Sequence, residues 1–160
     1  MIYRGPKLKI KDKPFSKNLL PKGGFVKANF FKCTDGDTAV FKINNLRENV
    51  RLLVINTPEL IEGVNNYAIE AKEYLEYVLL HAKEIYLQSD KHSDLRDSTE
   101  RRRLLCWLWV DGELINYNLV RMGYAVVKYV QSEKLKYLKK LHHAEELAKE
   151  EKLRIHTTSE

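Results

Sequence analysis

Residues 25–55, FVKANFFKCTDGDTAVFKINNLRENVRLLVI, contain the pattern that decides the fold. Three runs in this segment are rich in aromatic and β-branched residues, a composition typical of strands. The runs are residues 25–34, 38–43 and 50–55. Two turn-forming pairs, Asp35-Gly36 and Asn44-Asn45, separate them. The segment is therefore predicted to form a three-strand meander that begins with a hairpin.

Helical spacing begins after this meander. Apolar residues recur from 67 to 82 at the spacing of an amphipathic helix of about four turns. Two further strands, residues 85–87 and 103–110, and two further helices, residues 114–122 and about 132–153, are predicted downstream. The order βββαββαα indicates an α+β chain that is mainly a β-barrel. Five short strands with interspersed helices favour a small, partly open barrel of the oligonucleotide-binding (OB) type.

Length and composition limit the class of protein. A chain of 160 residues, 44% hydrophobic and 31% charged, has the size of one globular domain and is neither disordered nor fibrous in composition. No apolar run approaches the roughly 20 residues of a membrane span, and residues 1–20 lack the apolar core of a secretory signal. We therefore expect no membrane partner. A cytoplasmic location and secretion after removal of a signal both stay open.

Cysteine content and short motifs exclude further classes. Cys33 and Cys106 are too few for a disulfide framework in a chain of this length. Burial as small hydrophobic residues is the simpler interpretation, and pairing with each other is the alternative. The sequence has no Gly-rich phosphate loop, CxxC pair or HExxH helix. Nucleoside triphosphate and zinc chemistry are therefore not indicated.

Positive charge is concentrated at the N-terminus. The chain has 28 Lys and Arg against 22 Asp and Glu, a net charge of +6, which favours a nucleic acid or an anionic surface as partner. Residues 1–27 contain eight basic residues and one Asp and so carry +7, while the remaining twenty basic and twenty-one acidic residues leave −1. We expect a flexible basic arm (1–24), one domain (25–155) and a short tail (156–160).

Charged residues are predicted to meet where the strands end. Asp35 and Asp37 lie at the tip of the first hairpin, and Arg51 lies in a strand that is otherwise apolar. Because an arginine is costly to bury without a negative partner, Arg51 should face a cleft or a buried carboxylate.

Oxygen-bearing residues, Asn56-Thr57-Pro58-Glu59, follow the Arg51 strand directly. Hard cations such as Ca²⁺ take oxygen ligands, which Asp37, the Asn56 side chain and the Thr57 backbone can supply. Glu59 is then placed to act on a water molecule. Taken singly, these motifs are common turns and loop starts. Only their combination with Arg51 and Arg103 points to chemistry.

Five motifs follow one another along the chain. They are Asp35-Gly36-Asp37-Thr38, Arg51-Leu52-Leu53-Val54-Ile55-Asn56-Thr57-Pro58-Glu59, Glu70-Ala71, Arg103-x-Leu105-x-Trp107-x-Trp109-x-Asp111-Gly112 and Asn116-x-x-Leu119-Val120-Arg121-x-Gly123-Tyr124-Ala125. Each is weak alone, but their order and spacing resemble the staphylococcal nuclease (thermonuclease) family from about residue 25 to residue 153.

This resemblance implies a five-stranded OB-fold barrel with three α-helices. It also implies a Ca²⁺-dependent endo- and exonuclease that hydrolyses DNA and RNA with low sequence specificity. Such enzymes cleave the P–O5′ bond, leave 3′-phosphates and favour single-stranded or frayed regions. A monomer is the expected state.

The resemblance assigns roles to residues by motif position. The metal ligands are Asp37, Asn56 and the backbone carbonyl of Thr57, with the carboxylate of Asp35 behind them. The residues that act on the phosphate and the attacking water are Arg51, Glu59 and Arg103. The residues at positions that contact the nucleotide are Tyr129 and Arg101.

Departures from the family pattern support an alternative function. Asn56 stands where the family has an Asp ligand, so one negative charge is lost and Ca²⁺ affinity should fall. Thr99-Glu100-Arg101-Arg102-Arg103 replaces an Asp-x-Tyr-Gly-Arg run, and Gln131 replaces one of two pocket tyrosines. The alternative is a catalytically weakened or inactive nucleic-acid-binding module on the same barrel.

Overall fold

The structure, a computed structural model, describes residues 2–10, 15–16 and 20–157. The strands within these residues are β1 (Phe15–Ser16), β2 (Phe25–Lys27), β3 (Asn29–Asp35), β4 (Thr38–Ile43), β5 (Leu46–Leu52), β6 (Ile55–Asn56), β7 (Ile85–Gln88), β8 (Leu104–Val110), β9 (Glu113–Leu114) and β10 (Val126–Val127). The helices are α1 (Ala68–Leu80), α2 (Ile115–Arg121) and α3 (Leu138–Glu150), followed by a 3₁₀ helix at Arg154–His156. The predicted α+β class with three α-helices is confirmed, and the two-residue strands β1, β6, β9 and β10 are additional to the predicted order.

Tight turns join β3, β4 and β5 into the predicted meander. Ile43 pairs with Leu46, so Asn44 and Asn45 form a two-residue turn with φ of 51° and 66°. Positive φ at both central residues is the type I′ geometry, which asparagine tolerates and which matches the twist of the strands.

One bent segment closes the barrel. β2 pairs with β7, whereas β3, which follows almost directly, pairs with β4. Ala28 lies between them, is 5% exposed and donates its N–H to the carbonyl of Ile85 at 3.1 Å. The remaining neighbours in the sheet are β4 with β5, β5 with β8, and β8 with β7. The β5–β8 pairing is parallel. The sequence predicted one strand here; residues 25–35 act as one strand with two partners, which completes the ring of an OB-type barrel.

The predicted third strand, residues 50–55, ends earlier than its apolar run indicates. β5 stops at Leu52, and the chain turns at Leu53 and Val54, where Val54 has φ of 54°. Leu53 donates to the carbonyl of Cys106, and Lys128 donates to the carbonyl of Val54, each at 2.9 Å. Residues 52–55 are all buried, as predicted. These backbone contacts to distant residues decide the turn, and an apolar run carries no signal for them.

The last helix begins six residues later than residue 132, the predicted start. The hydroxyl of Ser132 accepts a hydrogen bond from the N–H of Lys134, which is a local turn that competes with helix. The carboxylate of Asp90 accepts from the N–H of Lys136 at 2.7 Å. These side-chain acceptors therefore stabilise a non-helical conformation of residues 132–136, and α3 starts at Leu138.

Part of the predicted N-terminal arm lies against the barrel. The N–H of Leu114 in β9 donates to the Tyr3 hydroxyl at 3.0 Å, and the rings of Tyr3 and Tyr117 meet edge to face. Lys7 forms a β-bridge with Glu113. Residues 11–14 and 17–19 of the arm, and 158–160 of the tail, lie outside the described residues. No helix in the described chain is long and apolar enough to cross a membrane.

Both cysteines are free and buried. Burial raises the pKa of the Cys33 thiol to about 12, and burial also raises the pKa of Cys106. These thiols are therefore protonated at neutral pH and behave as small core residues.

Asn116 connects three parts of the backbone inside the core. It is fully buried; its Oδ1 accepts from the N–H of Leu108 at 2.9 Å, and its Nδ2 donates to the carbonyls of Leu53 at 3.0 Å and Cys106 at 3.3 Å. The side chain thereby fixes α2 to β8 and to the turn after β5.

Replacing Asn116 by Ala is expected to take away the partner of the buried Leu108 N–H and Leu53 carbonyl, while the Cys106 carbonyl keeps the N–H of Leu53. We expect Asn116→Ala to lower the free energy of unfolding by about 2–5 kcal/mol, because each unsatisfied buried group costs about 1–3 kcal/mol. Urea denaturation followed by tryptophan fluorescence measures the change. Asn65→Ala, at an exposed position, is the matched control and should change it by less than about 0.5 kcal/mol. Equal effects of the two variants would contradict this role for Asn116.

Candidate active site

The turn between β3 and β4 places Asp37 against Arg51 of β5. In the strand ladder Thr38 lies opposite Arg51, and the N–H of Leu52 donates to the Asp37 carbonyl at 2.9 Å. Arg51 Nη2 lies 3.4 Å from Asp37 Oδ2, and the two side chains are 12% and 7% exposed. Arg51 thus faces a buried carboxylate, which a largely buried guanidinium requires.

Asp37 is surrounded by further donors. Its Oδ2 accepts from the N–H of Thr57 at 2.9 Å and the Thr57 hydroxyl at 3.1 Å, and its Oδ1 accepts from the Thr38 hydroxyl at 3.0 Å. Burial by itself raises the pKa of Asp37, but the charge of Arg51 and hydrogen bonds from Asp35, Thr57 and Thr38 outweigh burial and lower it. The carboxylate therefore stays ionised at neutral pH.

Asp35 lies beside Asp37 at the same tip. Its Oδ1 accepts from the N–H of Asp37 at 3.1 Å. Burial, followed by the neighbouring Asp37, raises the pKa of Asp35 to about 6. The two carboxylates thus have different environments, one held ionised by a guanidinium and one closer to neutrality.

Residues after β5 complete this side of the site. Asn56, in β6, offers its Oδ1 to Arg51 Nη2 at 3.4 Å, and Arg51 Nη1 donates to the carbonyl of Leu52 at 2.9 Å. Thr57 is buried, and Glu59 is exposed. The pairing of β6 with β10 brings the loop that carries Tyr129 to the same place.

These residues line one cleft of about 730 Å³. The predicted site residues in its wall are Asp35, Asp37, Arg51, Asn56, Thr57, Glu59, Arg103 and Tyr129. Tyr129 is 61% exposed, and Arg51 Cζ lies 5.7 Å from the centre of its ring. The predicted residue Arg101 is outside the wall, and Arg102, which was not predicted, lies in it. Arg102 has φ of 47° and closes a turn on Thr99, so the chain reverses and presents Arg102 instead.

Arg103 is held by a residue that sequence reasoning missed. Arg103 Nε donates to Asp97 Oδ2 at 2.6 Å, and the Arg103 N–H donates to Asp97 Oδ1 at 3.1 Å. Burial raises the pKa of Asp97, but hydrogen bonds from Thr99 and Arg103 outweigh burial and lower it. The Asp97-Ser98-Thr99 spacing, in which Asp97 also accepts from Thr99, is the sequence signal of an Asx-turn.

Arg96 is a second residue that sequence reasoning did not find. It pairs with Glu48 through two bonds of 3.0 Å, and its Nη1 also donates to the carbonyl of Arg102 at 2.9 Å. Arg96, which lines the cleft, therefore connects the loop before β8 to strand β5. Sequence reasoning could not pair it, because Glu48 is distant in the chain.

The cleft offers oxygen donors, the type of ligand that hard cations bind. Asp35 and Asp37 carboxylates, the Asn56 amide oxygen and the Thr57 backbone carbonyl are all oxygen donors, the type that Ca²⁺ prefers. Over the described residues, no three His, Cys, Asp or Glu side chains converge as a metal cluster. Any cation here would therefore depend on amide and carbonyl oxygens as well as carboxylates.

An arginine-carboxylate cleft in a barrel of this type is the arrangement that the sequence predicted for a phosphodiester hydrolase. The family model described as "Staphylococcal nuclease homologue" matches residues 49–157. The chain belongs to the staphylococcal nuclease family.

Named bacterial relatives agree with this assignment. The chain is 32% identical over 149 residues to "Endonuclease YncB" of Bacillus subtilis (strain 168), covering 91% of this chain and 67% of that protein. It is 34% identical over 127 residues to "SPbeta prophage-derived endonuclease YokF" of the same organism, covering 78% of this chain and 42% of that protein. It is 27% identical over 124 residues to "Thermonuclease" of Staphylococcus hyicus, covering 76% of this chain and 70% of that protein. The chain thus spans less than half of YokF.

We expect the Asp97 contact to fix the orientation of the Arg103 guanidinium. In Asp97→Asn the charged acceptor is lost, so the order parameter of the Arg103 Nε–H group, measured by ¹⁵N relaxation, should fall. Stability should fall by no more than about 1–2 kcal/mol, because the amide oxygen of the variant can still accept hydrogen bonds from Thr99 and the Arg103 N–H. Asp94→Asn alters a carboxylate of the same loop that does not pair with Arg103 and should leave the order parameter unchanged. An equally rigid Arg103 in Asp97→Asn would refute the contact.

Proposed function

We propose that this nuclease is Ca²⁺-dependent and hydrolyses DNA and RNA with low sequence specificity, by endo- and exonucleolytic cleavage that leaves 3′-phosphates. The observation that supports this most is the buried Asp37–Arg51 pair, which opens on a cleft that also contains Glu59 and Arg103. We also propose that the protein is a monomer, as its resemblance to the family implies.

The two arginines match the charge that the reaction develops. Hydrolysis of a phosphodiester gathers negative charge on the five-coordinate phosphorus, and guanidinium groups bind such oxygens through paired N–H donors. Arg103 uses its Nε on Asp97, and its Nη groups donate no hydrogen bond found among the described residues, so they can serve a phosphate. Arg51 is preorganised by Asp37 and Leu52. Both contacts reduce the reorganisation needed when a phosphate enters.

Glu59 is the candidate general base. It lines the cleft beyond the buried carboxylates and is exposed, so its side chain can reach a water molecule that approaches the phosphorus. In the proposed step Glu59 takes a proton from this water and the water oxygen bonds to phosphorus. The P–O5′ bond breaks, the leaving O5′ oxygen takes a proton from solvent water in the open cleft, and the exposed Glu59 then returns its proton to solvent. A positioned general base contributes about 10²–10⁴-fold to the rate.

Asp37, Asn56 and the Thr57 carbonyl are the residues that would hold Ca²⁺, with Asp35 behind them. When bound, the cation supplies positive charge beside the phosphate oxygens. Asp37 is already ionised in the free protein, so it offers a charged ligand without losing a proton. The neutral Asn56 gives the site one negative charge fewer than an Asp would, which predicts weaker Ca²⁺ binding.

Tyr129 offers a surface for a nucleotide base. Its ring is 61% exposed at the cleft edge, between Arg51 and Lys128. Stacking of a base on an aromatic ring contributes about 1–3 kcal/mol and needs an unpaired base. This favours single-stranded or frayed substrates.

Purified protein is expected to degrade single-stranded DNA and RNA with added Ca²⁺ and to stop when Ca²⁺ is chelated. Glu59→Gln should lower kcat by about 10²-fold or more, because the general base is lost. Lys9→Ala, at an exposed residue of the N-terminal segment, is the control and should retain full activity. Binding of the same oligonucleotide without cleavage at millimolar Ca²⁺ would instead support the alternative of a binding module.

Position 56 provides a separate test of the cation site. Asn56→Asp restores a carboxylate, so the Ca²⁺ concentration that gives half-maximal activity should fall. Calorimetric titration of Ca²⁺ into the protein should show the same tightening independently of activity. If both quantities are unchanged, Asn56 does not contact the cation.

A further inference from the structure

A bulge in β3 places an aromatic ring on the outer face of the barrel. Phe30 pairs with Phe41 and Lys32 pairs with Val40, so Phe31 between them is an extra residue without a partner in the ladder. The Phe31 side chain is 36% exposed. A bulge redirects a side chain in this way.

Two cations from neighbouring strands lie on this ring. Arg47 Cζ is 4.0 Å and Lys42 Nζ is 5.2 Å from the centre of Phe31. Lys42 of β4 and Arg47 of β5 are themselves paired across the ladder. Neither forms an ion pair with a carboxylate in the described part of the chain. We call Phe31, Lys42 and Arg47 the Phe31 cluster.

The Phe31 cluster is on the same face as the cleft. Along β5, Val50 and Leu52 belong to the core, so Arg47, Asn49 and Arg51 alternate with them on the outside. Arg51 lines the cleft, and Arg47 lies four residues before it, roughly 13 Å away at about 3.3 Å per residue. The position between them is the uncharged Asn49. A continuous outer face therefore connects the Phe31 cluster with the cleft.

We propose that the Phe31 cluster is a second contact site for a single-stranded nucleic acid whose scissile phosphate lies in the cleft. A base stacks on Phe31, while Lys42 and Arg47 bind the flanking phosphates. Exposed aromatic rings flanked by cations bind single strands without regard to sequence, because every base has a π-face. This inference rests on the proposed function for the identity of the ligand, and it adds that affinity depends on strand length.

Binding in the presence of EDTA tests the site without cleavage. The probe is fluorescein-labelled oligothymidine of about 20 nucleotides, longer than the roughly 4–16 nucleotides that one OB fold covers, and the readout is anisotropy. Phe31→Ala should weaken binding about five-fold or more, the equivalent of losing one stacked base. Lys42→Gln combined with Arg47→Gln should reduce the slope of log K against log salt concentration by about 1.4, since each phosphate contact on a single strand contributes about 0.7.

Matched measurements separate this proposal from the proposed function. Lys139→Gln together with Lys140→Gln removes two exposed charges from α3 and should not change the slope. With Ca²⁺, cleavage of a dinucleotide, too short to reach from Arg51 to Arg47, should fall less than two-fold in the Phe31-cluster variants.

If the variants bind the long strand as the parent protein does, the cations only cover the Phe31 ring and the proposal is wrong, whatever the protein's activity. If the parent protein neither binds nor cleaves nucleic acid, the proposed function fails and this site fails with it. Because Phe31→Ala alters the bulge, the charge variants provide an independent result should that variant not fold.

Discussion

The structure depends on residues 25–35 forming hydrogen bonds with two different strands. The first part of this segment pairs with β7 and the second with β4, with the change of partner at Ala28. Because the segment is held at both ends, its last residue, Asp35, has a fixed position, and so has the turn that carries Asp37. The carboxylates of the site are therefore attached to the frame of the barrel rather than to a free loop. The parallel contact of β5 with β8 likewise brings Arg51 beside the loop that ends in Arg103.

The Asp37–Arg51 pair is better explained by chemistry than by stability. Removing two charges from water costs several kcal/mol each, and their attraction often does no more than offset that cost. Arg51 is itself largely buried, so a hydrophobic residue at this position would avoid that cost. What the pair does provide is a guanidinium with a defined orientation at the wall of an open cleft, next to a carboxylate whose pKa is held low.

The sequence predicted those features that depend on local pattern. The turn pairs, the strand-end positions of Asp37 and Glu59, and the isolated Arg51 were all visible in it. Features that depend on contacts between distant residues were not: the turn at Val54 is held by Cys106 and Lys128, and Arg96 is held by Glu48. The exchange of Arg101 for Arg102 in the cleft wall depends on one positive φ angle, and no residue pattern indicates such an angle at an arginine.

The cleft and the outer face of the barrel differ in how their cations are paired, and this difference affects how each can bind a polyanion. Three cleft arginines already have carboxylate partners, Arg51 with Asp37, Arg96 with Glu48 and Arg103 with Asp97. A phosphate that enters must therefore share these arginines with their carboxylates, and the gain in Coulomb energy is small unless a cation adds charge. Lys42 and Arg47 contact the Phe31 ring and form no ion pair in the described structure, so they can bind phosphate without giving up a carboxylate partner. Since the chain after residue 27 carries a net charge of only −1, the barrel's own affinity for a long strand must come from such local groups. The cleft then determines the geometry at the bond that is cut.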